Sequence, residues 1–150
     1  MPTARIDDQL CFALYAASRR LTTAYRGTLA DLGLTYPQYL VLMVLWESDG
    51  ITVSELGERL SLDSGTLSPL LKRMALQGLV ERQASAEDER RVHVNLTDNG
   101  RELEAEVDRI QQCVVDAIDL DAEEFVTLRA LARRVASLEP TDAETATSPI

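Results

Sequence analysis

The segment from Thr52 to Leu96 constrains the fold most, because within it the apolar period changes from that of a helix to that of a strand. Thr52-Val53-Ser54-Glu55 has capping-box spacing and opens a helix with Leu56 and Leu60 on one side. After Ser61-Leu62, Asp63 or Ser64 caps a second helix that carries Leu67, Leu70, Leu71 and Met74 and ends at Gly78. Leu79-Val80-Glu81-Arg82 and Arg91-Val92-His93-Val94-Asn95-Leu96 then read as strands, the second alternating, around a charged tip from Ala84 to Arg90.

Two short helices running directly into a charged hairpin are the outline of a winged helix-turn-helix. Longer helices flank it. Asp7 or Asp8 caps the first, whose apolar positions Leu10, Leu14, Ala17, Leu21 and Ala24 lead to Leu29 and a stop at Gly33. Thr35-Tyr36-Pro37 starts a helix, apolar almost all round, that runs to Trp46 and is expected to be the buried centre. Thr97-Asp98-Asn99-Gly100 begins a long helix with Leu103, Val107, Ile110, Val114 and Ile118 on one stripe. Asp121 starts the last helix, through Phe125, Leu128, Leu131, Val135 and Leu138.

The expected fold is therefore mainly α with a small β-hairpin wing, a single domain over 1–138. Its DNA-binding part spans about 52–96, with dimerisation helices from both termini at about 7–32 and 98–138. Residues 139–150, rich in Thr, Ala, Asp and Pro, are expected to be a disordered tail. The amphipathic first and last helices carry more apolar surface than one chain can cover, which points to a homodimer.

The net charge of −10 opposes a polyanionic partner at first sight. Its distribution matters more than its sum. Residues 98–150 hold 13 acidic against 5 basic side chains, whereas residues 1–97 hold 12 against 10, so the DNA-binding half is close to neutral. No apolar run is long enough to span a bilayer, and no secretory signal precedes Asp8. With two cysteines only, Cys11 and Cys113, a disulfide scaffold is not expected, and a reducing, cytoplasmic setting is.

In helix-turn-helix units the second helix enters the major groove by its N-terminal residues. Here those residues are Asp63, Ser64, Gly65, Thr66 and Ser68, small and hydroxylated at a helix N-terminus that attracts phosphate. Lys72 and Arg73 add positive charge one turn later. At the hairpin tip, Arg90 and Arg91 suit a minor groove, with Asp88 placed to orient Arg90 by a charge-assisted bond. His93 alternates with Val92 and Val94 and reads as a solvated wing residue. No second Cys or His stands near it in sequence, so neither a metal nor a cofactor is expected. Trp46 reads as core.

The stretch containing Leu-Gly-Glu-Arg-Leu (56–60), Leu-Leu-Lys-Arg-Met (70–74), Asp-Glu-Arg-Arg (88–91) and Leu-Thr-Asp-Asn-Gly (96–100) resembles the MarR family of transcription regulators. The resemblance implies a dimer gripping a pseudo-palindromic stretch of double-stranded DNA with two recognition helices and two wings. Leu10-Cys11-Phe12-Ala13-Leu14-Tyr15 and Leu34-Thr35-Tyr36-Pro37-Gln38-Tyr39 are similar to the organic hydroperoxide resistance regulators within that family. That similarity implies an N-terminal cysteine, Cys11, hydrogen-bonded by two tyrosines, Tyr25 and Tyr36. It also implies a second cysteine, Cys113, that in some members closes an intersubunit disulfide.

Read from its residues alone, Cys11 is as consistent with a core position as with a reactive thiol. With Asp8 as N-cap it occupies the third helical position, where unpaired N–H groups favour a thiolate. Tyr15, one turn along, is a third polar neighbour. Cys113, on the flank of the stripe of Ile110 and Val114, suits a resolving thiol or a core cysteine. Taken with the resemblance, these residues describe a non-enzymatic repressor released from its operator when an organic hydroperoxide oxidises Cys11. The alternative within the family is release by a small phenolic ligand with Cys11 structural. Outside it, a thiol peroxidase would share the cysteine chemistry but has no use for Arg90 on a wing, and a pure dimerisation module would lack salt-dependent DNA affinity.

Overall fold

Capping chemistry sets most of the element boundaries in the computed structural model, which describes residues 5–137. Helix α1 (Leu10–Asp31) ends where Gly33 takes φ +68° and Leu34 N–H reaches back to the Leu29 carbonyl. Helix α2 (Tyr36–Glu47) leaves it at 80°, opened by a capping box between Thr35 and Gln38 with Pro37 in the first turn. Helix α3 (Val53–Leu60) starts on the Thr52–Glu55 capping box, and α4 (Ser64–Leu76) on the Asp63 carboxylate. Gly78, at φ +71°, closes α4 as Gly33 closes α1.

Strands β1 (Val80–Ala84) and β2 (Val92–Leu96) pair antiparallel, Val80 opposite Leu96 and Ala84 opposite Val92. The chain then forms α5 (Asp98–Glu102), a 3-10 turn (Leu103–Glu106) and α6 (Val107–Ala117). The described residues divide into two compact units between Ala117 and Ile118. The second unit holds α7 (Ala122–Ala136), capped by Asp121 with Glu124, whose Val126, Leu128, Leu131 and Val135 are exposed. The arrangement of the first unit is a winged helix-turn-helix: α3 and α4, then the hairpin, with α2 behind them and α1 against α6.

The core of that unit is built from α2, the inner faces of α3 and α4, and the base of the hairpin. Tyr39, Leu42, Leu45, Leu56, Leu71, Met74, Val94 and Ile110 are all fully buried there. Asp49 ties three elements together. Its Oδ1 accepts from Gly50 N–H (2.9 Å) and Leu96 N–H (2.8 Å), and its Oδ2 from the Arg101 guanidinium (2.6 Å).

Several expectations are corrected. Asp7 and Asp8 do not cap α1: a 3-10 turn over Ile6–Asp8 absorbs them, and the N-cap is Gln9, with no side-chain bond. The long helix after Thr97 is interrupted by the 3-10 turn, and Ile118 lies beyond its end. His93 is half-buried rather than solvated, its Nδ1 sitting 2.9 Å from the Gly50 carbonyl oxygen. Trp46 is only partly buried and donates its indole N–H to the Gly100 carbonyl at 2.9 Å. Leu138 and the expected tail at 139–150 lie outside the described residues.

Candidate functional site

Helix α4 is held by its own first turn. Asp63 Oδ1 accepts from Thr66 N–H at 2.8 Å and Oδ2 from the Thr66 hydroxyl at 3.3 Å, which keeps this carboxyl below the ordinary Asp range. Asp63 and Thr66 thus act on each other first. Ser64 and Gly65 are exposed and Ser68 half-buried beside them, with Lys72 and Arg73 exposed one turn on. Pro69, inside α4, removes the N–H that would have bonded the Gly65 carbonyl, so the first turns expose an acceptor as well as donors.

A groove runs between the helix pair and the wing, lined by Ser54, Glu55 and Glu58 of α3, Ser68 of α4, and Arg82, Arg90 and Arg91 of the hairpin. Arg90 also borders the adjoining hollow formed by Ser61, Asp63, Ser64 and Leu67. The expected orientation of Arg90 by Asp88 is not what forms. Asp88 Oδ1 accepts from the Arg90 backbone N–H at 3.0 Å, a tight turn that leaves the guanidinium unbound. Among the described residues, the ion pairs beyond Arg5–Asp7 engage Arg59, Arg101 and Arg109. None involves Lys72, Arg73, Arg82, Arg90 or Arg91. Arg91 does lie close enough to Glu55 to add to the Thr52 hydrogen bonds that hold that carboxyl down, so among the described residues the cations without a carboxylate neighbour of this kind are Lys72, Arg73, Arg82 and Arg90. Arg82 was not singled out in the sequence, where it reads as one more strand residue; alternation would place it on the side of the buried Val80, so no local signal announces its exposure.

The second constellation lies where α1, α2 and α6 meet. Tyr25 and Tyr36 stack with centroids 5.0 Å apart, and Tyr39 packs on Tyr25 at 5.8 Å. Burial and the neighbouring phenols push Tyr25 up to about 12, and proximity to Cys113 acts in the same direction. Tyr36 and Tyr39 are also raised, mainly by burial. All three phenols therefore stay protonated at neutral pH and can donate. Tyr39, fully buried, receives a hydrogen bond from Gln111 Nε2 at 2.9 Å. Cys113 is half-buried, its thiol donating to the Ile110 carbonyl at 2.8 Å. Sequence reasoning missed Tyr39 and Gln111, although Tyr36 and Tyr39 at i and i+3 share a helix face.

Cys11 is elsewhere. It is exposed, the second residue of α1 rather than the third, as are all residues from Cys11 to Arg20. Fourteen residues of one helix separate it from Tyr25, about 21 Å at the usual rise. The expected bonds from Tyr25 and Tyr36 to Cys11 are therefore not made within one chain. Tyr15, ten residues before Tyr25, is also exposed and carries Arg19 over its ring at 5.6 Å. The structure brings together Tyr25, Tyr36 and Tyr39, with Cys113 near Tyr25 and Tyr39, and leaves Cys11 and Tyr15 on an exposed stretch of α1 with Leu10, Phe12 and Leu14.

No single described helix is long and apolar enough to cross a membrane, and no group of three metal-ligating side chains occurs among the described residues.

The model of the MarR family matches residues 34–92. The chain is 49% identical to the HTH-type transcriptional regulator TtmR of Methylorubrum extorquens over 89% of its own length and 67% of that protein. It is 44% identical to the organic hydroperoxide resistance transcriptional regulator of Bacillus subtilis, covering 84% of this chain and 86% of the relative. Among solved structures it is similar to AbfR of Staphylococcus epidermidis. The reduced, DNA-bound form of AbfR superimposes with a TM-score of 0.75 at 32% identity, covering 88% and 90% of the two chains. A disulfide-formed AbfR structure gives 0.62 at 33% identity, with 88% of each chain covered.

Proposed function

The chain belongs to the MarR family of DNA-binding transcription regulators, and on that premise we propose that it is a homodimeric repressor, released from its operator when an organic hydroperoxide oxidises Cys11. The observation that carries this reading is a divided site. Three protonated phenols and Cys113 lie at one end of α1, and an exposed thiol lies about 21 Å away at the other. In an antiparallel pairing of two α1 helices, Cys11 of one subunit meets Tyr25, Tyr36 and Cys113 of its partner. The exposed Leu10, Phe12, Leu14 and Tyr15 supply the apolar surface that such a pairing buries.

The chemistry is short. The Cys11 thiolate attacks the outer oxygen of R–O–O–H and the O–O bond breaks. Sulfur, oxidised by two electrons, keeps that oxygen as a sulfenic acid, and the alkoxide leaves as an alcohol after taking a proton. Tyr25 and Tyr36 are the donors for the thiolate and for the leaving oxygen. Attack by the thiol of Cys113 of the partner subunit on the sulfenic sulfur then gives a disulfide and one water.

DNA is met by Ser64, Gly65, Thr66 and Ser68, with Asp63 as the cap. Lys72, Arg73, Arg82, Arg90 and Arg91 supply the phosphate and minor-groove contacts. Two such units fit adjacent major grooves in one dimer shape only, so any ligand or covalent change favouring another shape releases the DNA. Support comes from the relatives: one is named for hydroperoxide resistance, and AbfR has been seen reduced on DNA and in a disulfide form.

The test is operator binding before and after cumene hydroperoxide, for the wild type and Cys11→Ser. Release of the wild type alone is expected. Release of the serine variant by peroxide would remove Cys11 from the sensor role. A non-reducing mass spectrum then reads whether the oxidised species is a Cys11–Cys113 bridge.

A further inference from the structure

Trp46 joins the tyrosine cluster to the base of the wing. Its ring meets Tyr39 edge-on, 6.2 Å between centroids at 64°, and Tyr39 packs in turn on Tyr25. At the far edge, its indole N–H donates to the Gly100 carbonyl. Gly100 lies where the chain leaving β2 presses on the chain entering β1, so closely that a Cβ there would stand 2.2 Å from the Leu79 carbonyl oxygen. Thr97 clamps the same junction, its N–H on the Leu79 carbonyl at 3.1 Å and its hydroxyl on the Gly78 carbonyl at 2.6 Å. A row of rigid rings therefore runs from Tyr25 to the point where α4 becomes the wing.

We propose that Trp46 is a positioning residue that transmits the state of the Tyr25–Tyr36–Tyr39 cluster to the wing through the Gly100 carbonyl. The inference rests on the sensor reading of Cys11 given above. Interiors packed at crystal density do not deform smoothly, so a tyrosine displaced by an oxidised sulfur passes its displacement on. Gln111 holds the Tyr39 hydroxyl from α6, so a push from Tyr25 turns the ring about that end and onto the indole. The indole therefore moves against the carbonyl it holds, and the wing base moves with it.

Trp46 is the only tryptophan in the chain, so its emission reports on this contact without any substitution. The full-length dimer is treated with cumene hydroperoxide on an operator duplex selected by the reduced protein from random DNA. Wild-type emission is expected to shift with Cys11 oxidation, and emission from Cys11→Ser to stay unchanged. Trp46→Phe keeps an aromatic ring but loses the N–H donor. Its Cys11 is expected to oxidise at the wild-type rate by mass, and its reduced operator affinity to lie within about threefold of wild type. Oxidation should then weaken its DNA binding by about threefold or less, against at least about tenfold for wild type, within the usual span of coupling between sites. Equal release of Trp46→Phe and wild type overturns the proposal. So does constant wild-type emission while DNA is released, a readout that stands even if the variant does not fold. Absence of Cys11 oxidation, or of wild-type release, sinks the sensor reading itself, and the inference falls with it.

Discussion

Replacing Arg82 by alanine separates electrostatic contact with DNA from every other contribution to binding. The side chain is exposed on β1, has no ion-pair partner among the described residues, and borders the groove between the α3–α4 pair and the wing. A dimer loses two such cations. If each neutralises one phosphate, the slope of log affinity against log salt falls by about 1.8, at roughly 0.9 per phosphate on duplex DNA. Between about 50 and about 200 mM salt, the advantage of wild type over variant should therefore shrink about twelvefold. Fluorescence anisotropy on any labelled duplex reads this, because the electrostatic component does not depend on sequence. Arg109→Ala is the control. Its guanidinium is engaged by Asp31 at 3.1 Å and Glu106 at 3.0 Å, away from the groove, and its slope should match wild type. An unchanged slope for Arg82→Ala would refute the placing of this arginine on the DNA face.

Two further outcomes follow from packing and ionisation. Gly100→Ala forces a methyl against the Leu79 carbonyl oxygen at 2.2 Å and the Leu96 Cδ2 at 3.1 Å. It should cost about 1–3 kcal/mol as overpacking, read as a lower urea midpoint at unchanged m-value; an unaltered midpoint would show that the junction has slack. Tyr25, held near 12 in the folded chain against an ordinary 10, contributes stability that is complete below pH 10 and lost as pH rises through 12. Urea midpoints should therefore fall between pH 10 and 12, and Tyr25→Phe should remove part of that fall.

Most element boundaries follow from signals local to the sequence. Thr35, Thr52, Thr97 and Asp121 cap helices through bonds three residues long, and Gly33 and Gly78 close them through one left-handed residue. Such signals need no knowledge of the rest of the chain. Asp7 and Asp8 show where that logic fails: two acids before a helix are equally able to sit in a 3-10 turn. Nothing near Trp46 announces Gly100, 54 residues away, nor does Tyr39 announce Gln111, 72 residues away. These contacts arise from how helices pack, not from any local pattern. The candidate thiol site was legible as residue types and illegible as geometry, because Cys11 and Tyr25 lie on one helix that holds them about 21 Å apart, and Tyr36 stacks on Tyr25.

The separation of Cys11 from Tyr25 along one rigid helix has a genetic consequence. Under the proposed pairing, each chain donates a nucleophile to one centre and a cradle to the other, so no subunit owns a complete detector. Co-expression of a Cys11→Ser chain with a Tyr25→Phe, Tyr36→Phe chain should then yield mixed dimers in which one centre is whole and the other doubly defective. Two alleles, each inert alone, would restore a response together.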